Sequence, residues 1–382
     1  MRTASTGRHQ AATPDVRLRP ILDSVAAEIG RFGGEFLLHI GRQKSGTSAL
    51  QRALASGRAH LARHETLYPG AGGTEIAHHR LARFFRATRD GEVDDAEQRL
   101  AELRRLTTEI AGARARRVLI SSEGLQNTDP RDVAAVFPPD RTRIVVYLRE
   151  QLDFAVSAYC QAIQAQARST KLHRFVRHTR ADYAAFLGHW SDAFGQDRLI
   201  VRVYDRASLR DGDVVADFFH EALGIAPPTY RAAGSNPSIG GLVLALKHLI
   251  NATLDPAVAA NTGTYRLFAA LAASDPAYRR KPRIPAWLAE EVRDRFARSN
   301  VDVANRYLGR DTLFEISQMP PPEPLDTSRE AVLRLFEALQ ADPRGEAMTV
   351  ALARHADADL PPRAAAINLL TRHITENPWL VD

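Results

Sequence analysis

Apolar residues in this chain fall into short continuous runs, separated by longer stretches in which they recur every three or four positions. The runs are Phe36 to Ile40, Val118 to Ser121, Ile144 to Leu148 and Leu199 to Val203. Segments that short and that uniformly apolar read as strands buried on both faces, the pattern of a mostly parallel sheet. Leu50 and Leu54, four apart after Thr47, predict a helix directly behind the first strand. A longer helical stretch is predicted over 76–115, with Asp94, Asp95 and Glu97 early and Arg114, Arg116 and Arg117 at its end, the charge order that suits the helix dipole. From about residue 235 the strand pattern stops, and helices are predicted over 242–250, 285–307 and 329–339. The run Met319-Pro320-Pro321-Pro322-Glu323-Pro324 cannot continue a helix. The expected organisation is a polar arm over 1–20, an α/β domain over 21–318 that is helical from about 235, and a Pro-rich linker with a helical tail over 319–382.

Composition narrows the class without naming a function. Of 382 residues, 45% are apolar and 25% charged, an average globular balance that argues against collagen-like, wholly disordered and disulfide-framework chains. No run approaches the ~18 consecutive apolar residues of a membrane-spanning helix. The first thirty residues lack the apolar segment of a secretory signal, and the single cysteine, Cys160, offers neither an internal disulfide nor a zinc spacing. A reducing, cytoplasmic setting is expected. The net charge of +6 favours an anionic ligand. Among 51 basic residues the lysines are Lys44, Lys171, Lys247 and Lys281. A lysine kept inside a glycine loop therefore marks a place that wants a compact ammonium rather than a planar fork.

That loop is Gly41-Arg42-Gln43-Lys44-Ser45-Gly46-Thr47-Ser48, where the first strand turns into a helix. Backbone N–H groups and the positive end of the helix dipole make such a turn an anion site. Gly41 and Gly46 have the spacing of a nucleotide P-loop, but there lysine follows the second glycine, whereas here Lys44 lies two residues before it. The next strands end in Ser121-Ser122-Glu123 and Leu148-Arg149-Glu150, with no Asp placed to hold Mg²⁺, which counts against a metal-dependent phosphotransferase. Arg149 and Ser157 are eight residues apart, about two helical turns. An arginine at a strand end and a hydroxyl on the following helix can converge on one oxyanion.

Together these segments resemble the sulfotransferase superfamily, in the form of its bacterial branches. Ile40 to Ser48 is similar to that family's 5′-phosphosulfate loop, and Tyr147 to Gln151 with Ser157-Ala158-Tyr159 is similar to its 3′-phosphate motif; the likeness covers about 36–225. The resemblance implies a three-layer α/β sandwich with a central mostly parallel sheet, a P-loop-like nucleotide site and a helical C-terminal extension. It implies 3′-phosphoadenosine-5′-phosphosulfate as donor, with Lys44, Ser45, Gly46, Thr47 and Ser48 on its phosphosulfate end and Arg149 and Ser157 on its 3′-phosphate. No metal is implied. The implied acceptor is a hydroxyl or amine of a carbohydrate, glycolipid or small metabolite, and not a nucleic acid. Tyr204 matches a position that approaches the adenine, and Asn236-Pro237-Ser238 falls roughly where a further phosphate clamp is expected.

Such a transfer needs a cation where charge develops on the leaving group, a role that falls to Lys44, and a base for the acceptor. Glu123, directly after the strand at 118–121, is the first candidate, against the competing reading of a helix cap or an arginine partner. His79 is the second, with His78 beside it and Glu75 one helical turn away on the same face. Arg279-Arg280-Lys281-Pro282-Arg283 reads as a solvated loop, with an anionic acceptor as the alternative, and the same two readings apply to Arg174, Arg177, His178 and Arg180. A P-loop-type kinase and a non-catalytic nucleotide-binding module are the rival functions.

Overall fold

The structure, a computed structural model, describes residues 19–42, 44–74, 76–90, 96–229, 238–315, 324–356 and 359–381. In chain order the elements are α1 (Arg19–Gly30), β1 (Glu35–His39), α2 (Thr47–Ser56), α3 (Arg58–Arg63), β2 (Thr66–Leu67), α4 (His79–Asp90), α5 (Ala96–Gly112), β3 (Arg117–Ser121), α6 (Pro130–Val136), β4 (Thr142–Leu148), α7 (Gln151–Ala165), α8 (Leu172–Arg177), α9 (Tyr183–Phe194), β5 (Leu199–Val203) and α10 (Val214–Phe218). There follow α11 (Gly241–Thr253), α12 (Pro256–Ala259), α13 (Thr262–Ser274), α14 (Ala286–Val303), α15 (Arg329–Gln340), α16 (Pro343–Ala353) and α17 (Pro362–Glu376). The predicted α/β class holds. Within the stretch predicted as helical over 76–115 the described residues form α4 and α5, and Arg114 and Arg116 lie beyond the end of α5 while Arg117 opens β3. The proline run at 319–323, most of the N-terminal arm, and the pair Asn236-Pro237 lie outside the described residues. Among the described residues no helix is long and apolar enough to cross a membrane.

The chain divides into two units. The first comprises Met1–Leu148, Tyr183–Ala232 and Arg306–Gly309. Its described strands form one all-parallel sheet in the order β2-β3-β1-β4-β5. β1 is central, and the chain crosses over it between β3 and β4, so the loop after β1 opens where the strand order reverses, the usual ligand position in such sheets. Leu37, Leu119, Val145 and Tyr147 on one face pack with Leu50 and Leu54 of α2 and Val215 and Phe218 of α10. The other face carries Phe36, 5.3 Å from the ring of Phe137. Both faces of β1, β3 and β4 are buried over 36–39, 118–121 and 144–148, which is why their centres are apolar without alternation, whereas the edge strand β5 alternates between buried and half-buried positions. At the amino end of the sheet, Glu35 of β1 bridges Arg117 of β3 and Arg143 of β4. Burial pushes its carboxyl up, but the two guanidiniums outweigh that and hold it below the usual carboxylate range.

The second unit comprises Arg149–Asp182, Ala233–Asn305 and Arg310–Asp382 and is helical. Short polar residues start its helices: Asn261 accepts from Thr264 N–H, Ser328 from Ala331 N–H and Asp342 from Arg344 N–H. Within it, α11 is buried along most of its length and contributes Lys247, His248 and Asn251 to the interior side of the 163–170 segment.

Candidate functional site

The glycine loop is shaped by backbone conformations that few residues accept. Gly41 has φ +39°, Lys44 +67° and Gly46 +76°, so three turns of the chain into left-handed space occur within six residues. A Cβ on Gly41 would lie 2.8 Å from Thr47 Cγ2 and 3.4 Å from the Cα and Cβ of Glu123. One on Gly46 would lie 2.7 Å from a ring carbon of Tyr204. The loop is thus seated between Glu123 and Tyr204, and the glycines are required by contact as well as by φ. Tyr204, matched in the sequence to an adenine-facing position, packs against Gly46, and its N–H donates to Leu148 O at 2.7 Å.

Arg42 ties the loop to α9, with its guanidinium 5.3 Å from the ring centre of Tyr183 and 5.0 Å from that of Phe186. Ser45 is buried and braces the loop, since both its hydroxyl (2.5 Å) and its N–H (3.3 Å) donate to Arg42 O. Gly46 then begins α2 without a side-chain cap. The opening N–H groups of a helix, here those of Thr47 and Ser48, have no intrahelical acceptor. Thr47 is buried and Ser48 exposed.

Both candidate bases lie together in this unit. Glu123 Oε2 accepts a 2.8 Å bond from Gln51 Nε2, one turn into α2. Glu123 Oε1 lies 3.8 Å from His79 Nε2, an electrostatic contact too long for a hydrogen bond. His79 Nδ1 is 2.9 Å from Ser122 Oγ, which accepts from Gly124 N–H at 3.1 Å. With the serine hydrogen on Nδ1, the imidazole presents Nε2–H toward the carboxylate. Glu123 and His79 are each partly exposed, at 25% and 37%.

His78 is different. Ser121 N–H donates to its Nδ1 at 3.0 Å, its Nε2 meets Pro69 O at 3.1 Å, and the ring is 1% exposed. Burial pushes its pKa down to about 4, so it is a neutral structural tie. Glu75 lies outside the described residues. Sequence reasoning missed Gln51 and Ser122. Gln51 could have been noticed as a polar residue flanked by Leu50 and Leu54 on the face that α2 buries, whereas Ser122 carries no signal beyond its position before Glu123.

The second anchor belongs to the other unit and follows Leu148, the last residue of β4. Arg149 Nε donates to Asp153 Oδ2 at 2.6 Å, and Lys281 Nζ donates to Asp153 Oδ1. Burial raises the Asp153 carboxyl, but Arg149 and Lys281 more than reverse this and keep it ionised. Ser157 is one turn further along the same face of α7 and is 4% exposed. The basic run at 279–283, read as solvated, therefore places one of its cations beside Arg149. Gln151 and Asn300 exchange amide bonds of 2.5 and 3.2 Å that fix the start of α7 to α14.

No family model matches the chain. A protein of Archaeoglobus fulgidus described as uncharacterised is 36% identical over 117 residues, which span 30% of this chain and 32% of that protein. The chain thus matches about a third of that relative's length. Among solved structures, the crystal structure of a sulfotransferase from Alicyclobacillus acidocaldarius aligns with a TM-score of 0.38 and 16% identity, over 72% of this chain and 96% of that one.

Proposed function

We propose that this chain is a sulfotransferase that moves a sulfuryl group from 3′-phosphoadenosine-5′-phosphosulfate to the hydroxyl or amine of a small-molecule or carbohydrate acceptor. The observation that carries the reading is a lysine-bearing glycine loop with an uncapped helix start, against whose first glycine a carboxylate, Glu123, is packed and held by Gln51. A glycine loop running into a helix N-terminus suits the close approach of an anionic group. When bound, the donor supplies a sulfuryl group already activated by its bond to a phosphate. The Thr47 and Ser48 amides and the Lys44 ammonium hold the oxygens at that end, and Lys44 takes up the charge left on the bridging oxygen as the S–O bond breaks. Glu123 receives the acceptor's proton while the acceptor oxygen or nitrogen bonds to sulfur, and His79 beside it stabilises the carboxylate before the transfer. Arg149 and Ser157 grip the 3′-phosphate, with Lys281 adding charge to Arg149's side of the anchor.

The test is a thermal-shift comparison of adenosine 3′,5′-bisphosphate with ATP, each with and without Mg²⁺. A ligand at 100 times its Kd adds about 2.7 kcal/mol of stability, which is a shift of several degrees for a domain of this size. The bisphosphate should raise the midpoint without metal, and Arg149→Ala should remove the rise. A rise with ATP and Mg²⁺ alone would replace this reading with a P-loop kinase.

A further inference from the structure

The second unit contains a cavity of about 490 Å³ between α7, α8 and the loops on either side of α8, within the usual range for small-molecule sites. Its walls differ in kind. Phe154 and Phe175 are half-buried and form an aromatic floor, while Arg168, Arg174, His178 and Arg180 are exposed around it, and none of the lining side chains is acidic. Among the described residues Arg168 and Arg174 make no ion pair. Two guanidiniums of like charge in one concavity, Arg168 and Arg174, repel one another, and an oxyanion relieves this by accepting from both forks. The floor sets the rest of the ligand: Phe175 is held edge-on by the buried Tyr159 ring at 5.4 Å, which leaves a fixed apolar surface beside the cations.

The cavity is also braced from behind by the buried Lys247 and His248 and the half-buried Asn251. Asn251 Nδ2 donates to Ile163 O at 2.8 Å and Arg168 O at 2.7 Å, Lys247 Nζ to Ile163 O at 3.0 Å, and His248 Nε2 to Ser169 O at 2.9 Å. Lys247 is 0% exposed and has no carboxylate partner among the described residues. Burying a lysine is expensive; Lys247 donates to Ile163 O and to Asn251 Oδ1, and it is Asn251 that holds Arg168 O. His178 is fixed in turn through Nδ1, 2.7 Å from Arg174 O.

We propose that this cavity binds a small aromatic oxyanion, such as an aryl phosphate, sulfonate or carboxylate, with its ring on Phe154 and Phe175 and its anionic group on Arg168 and Arg174. The site stands whether or not the chain transfers sulfate. Phenyl phosphate, inorganic phosphate and benzyl alcohol are titrated calorimetrically into the full chain, its Lys44→Ala variant and an Arg168→Ala/Arg174→Ala double variant. Phenyl phosphate should bind saturably and at least tenfold tighter than either of the other two probes. The double variant should lose at least tenfold in affinity with an unchanged thermal midpoint, since both side chains are exposed, while Lys44→Ala should bind as before. Absent saturation at millimolar phenyl phosphate, equal affinity for inorganic phosphate or benzyl alcohol, or an unaffected double variant would each overturn the proposal. If instead Lys44→Ala abolishes binding, the probe sits on the glycine loop and the cavity is not the site. Failure of the transferase reading appears separately, as the absence of a bisphosphate-induced thermal shift.

Discussion

Lysines illustrate how far a single residue's meaning depends on its surroundings. Lys44 carries a left-handed φ of +67° in the glycine loop, Lys281 bonds Asp153 beside Arg149, and Lys247 is wholly buried, its pKa pushed down to about 8 by burial. Their rarity and the loop position of Lys44 were visible in the sequence, but the settings of Lys247 and Lys281 were not, because burial and partners come from distant segments. A non-glycine residue at positive φ stores up to ~1 kcal/mol of backbone strain. Lys44→Gly is therefore expected to leave the thermal midpoint unchanged or slightly raised while abolishing release of adenosine 3′,5′-bisphosphate from the donor with a panel of hydroxyl acceptors. Preserved turnover in that variant would remove Lys44 from the chemistry. Glu123→Gln keeps the contact with Gln51 in altered form but cannot accept a proton, and should lower the same turnover by about 10²–10⁴-fold. A fully active Glu123→Gln protein would remove Glu123 from the role of base and leave His79, the second candidate, which would then accept through Nε2 in its other tautomer.

At the scale of elements, the strands were legible where they are buried on both faces, and β1, β3, β4 and β5 stand within two residues of their predicted bounds. The two-residue β2, Thr66–Leu67, has no periodicity to read. Packing decided what pattern did not. Asp217 of α10 is 0% exposed and accepts from Tyr147 Oη at 2.8 Å, from Arg202 of β5 through two bonds and from Arg210 N–H at 3.0 Å. Asp217→Ala leaves those donors unmatched and is expected to cost about 3–5 kcal/mol of stability, measurable as a lowered urea midpoint with an unchanged slope. A cost under about 1 kcal/mol would mean that water replaces the carboxylate. Gly46→Ala strains φ +76° and drives a methyl into Tyr204, so it should lower both the thermal midpoint and the bisphosphate-induced shift.

For the whole molecule, the pH dependence of stability follows from three buried imidazoles. Burial pushes His39 down to about 3 and His78 to about 4, and burial followed by the neighbouring His373 pushes His248 to about 4. In the unfolded chain each takes up a proton near pH 6.5. Between about pH 6.5 and 4 the unfolded state therefore holds more protons, so stability is full above that window and falls as pH falls through it, by roughly 1.4 kcal/mol per unit for each imidazole. The thermal midpoint should drop between pH 7 and pH 5, and less steeply in His248→Gln; a flat profile would mean that these rings are hydrated. By itself the sequence determined the α/β class, the parallel strands and the glycine loop between β1 and α2, because all three rest on local rules: apolar runs, glycine spacing and a helix start. Only the tertiary structure decided that Glu123 and His79 share one place, that Gln51 holds the carboxylate, and that Lys281 joins Arg149 on Asp153. Those pairings span separations of 44, 72 and 128 residues, and no periodicity encodes which distant side chains a fold will bring into contact.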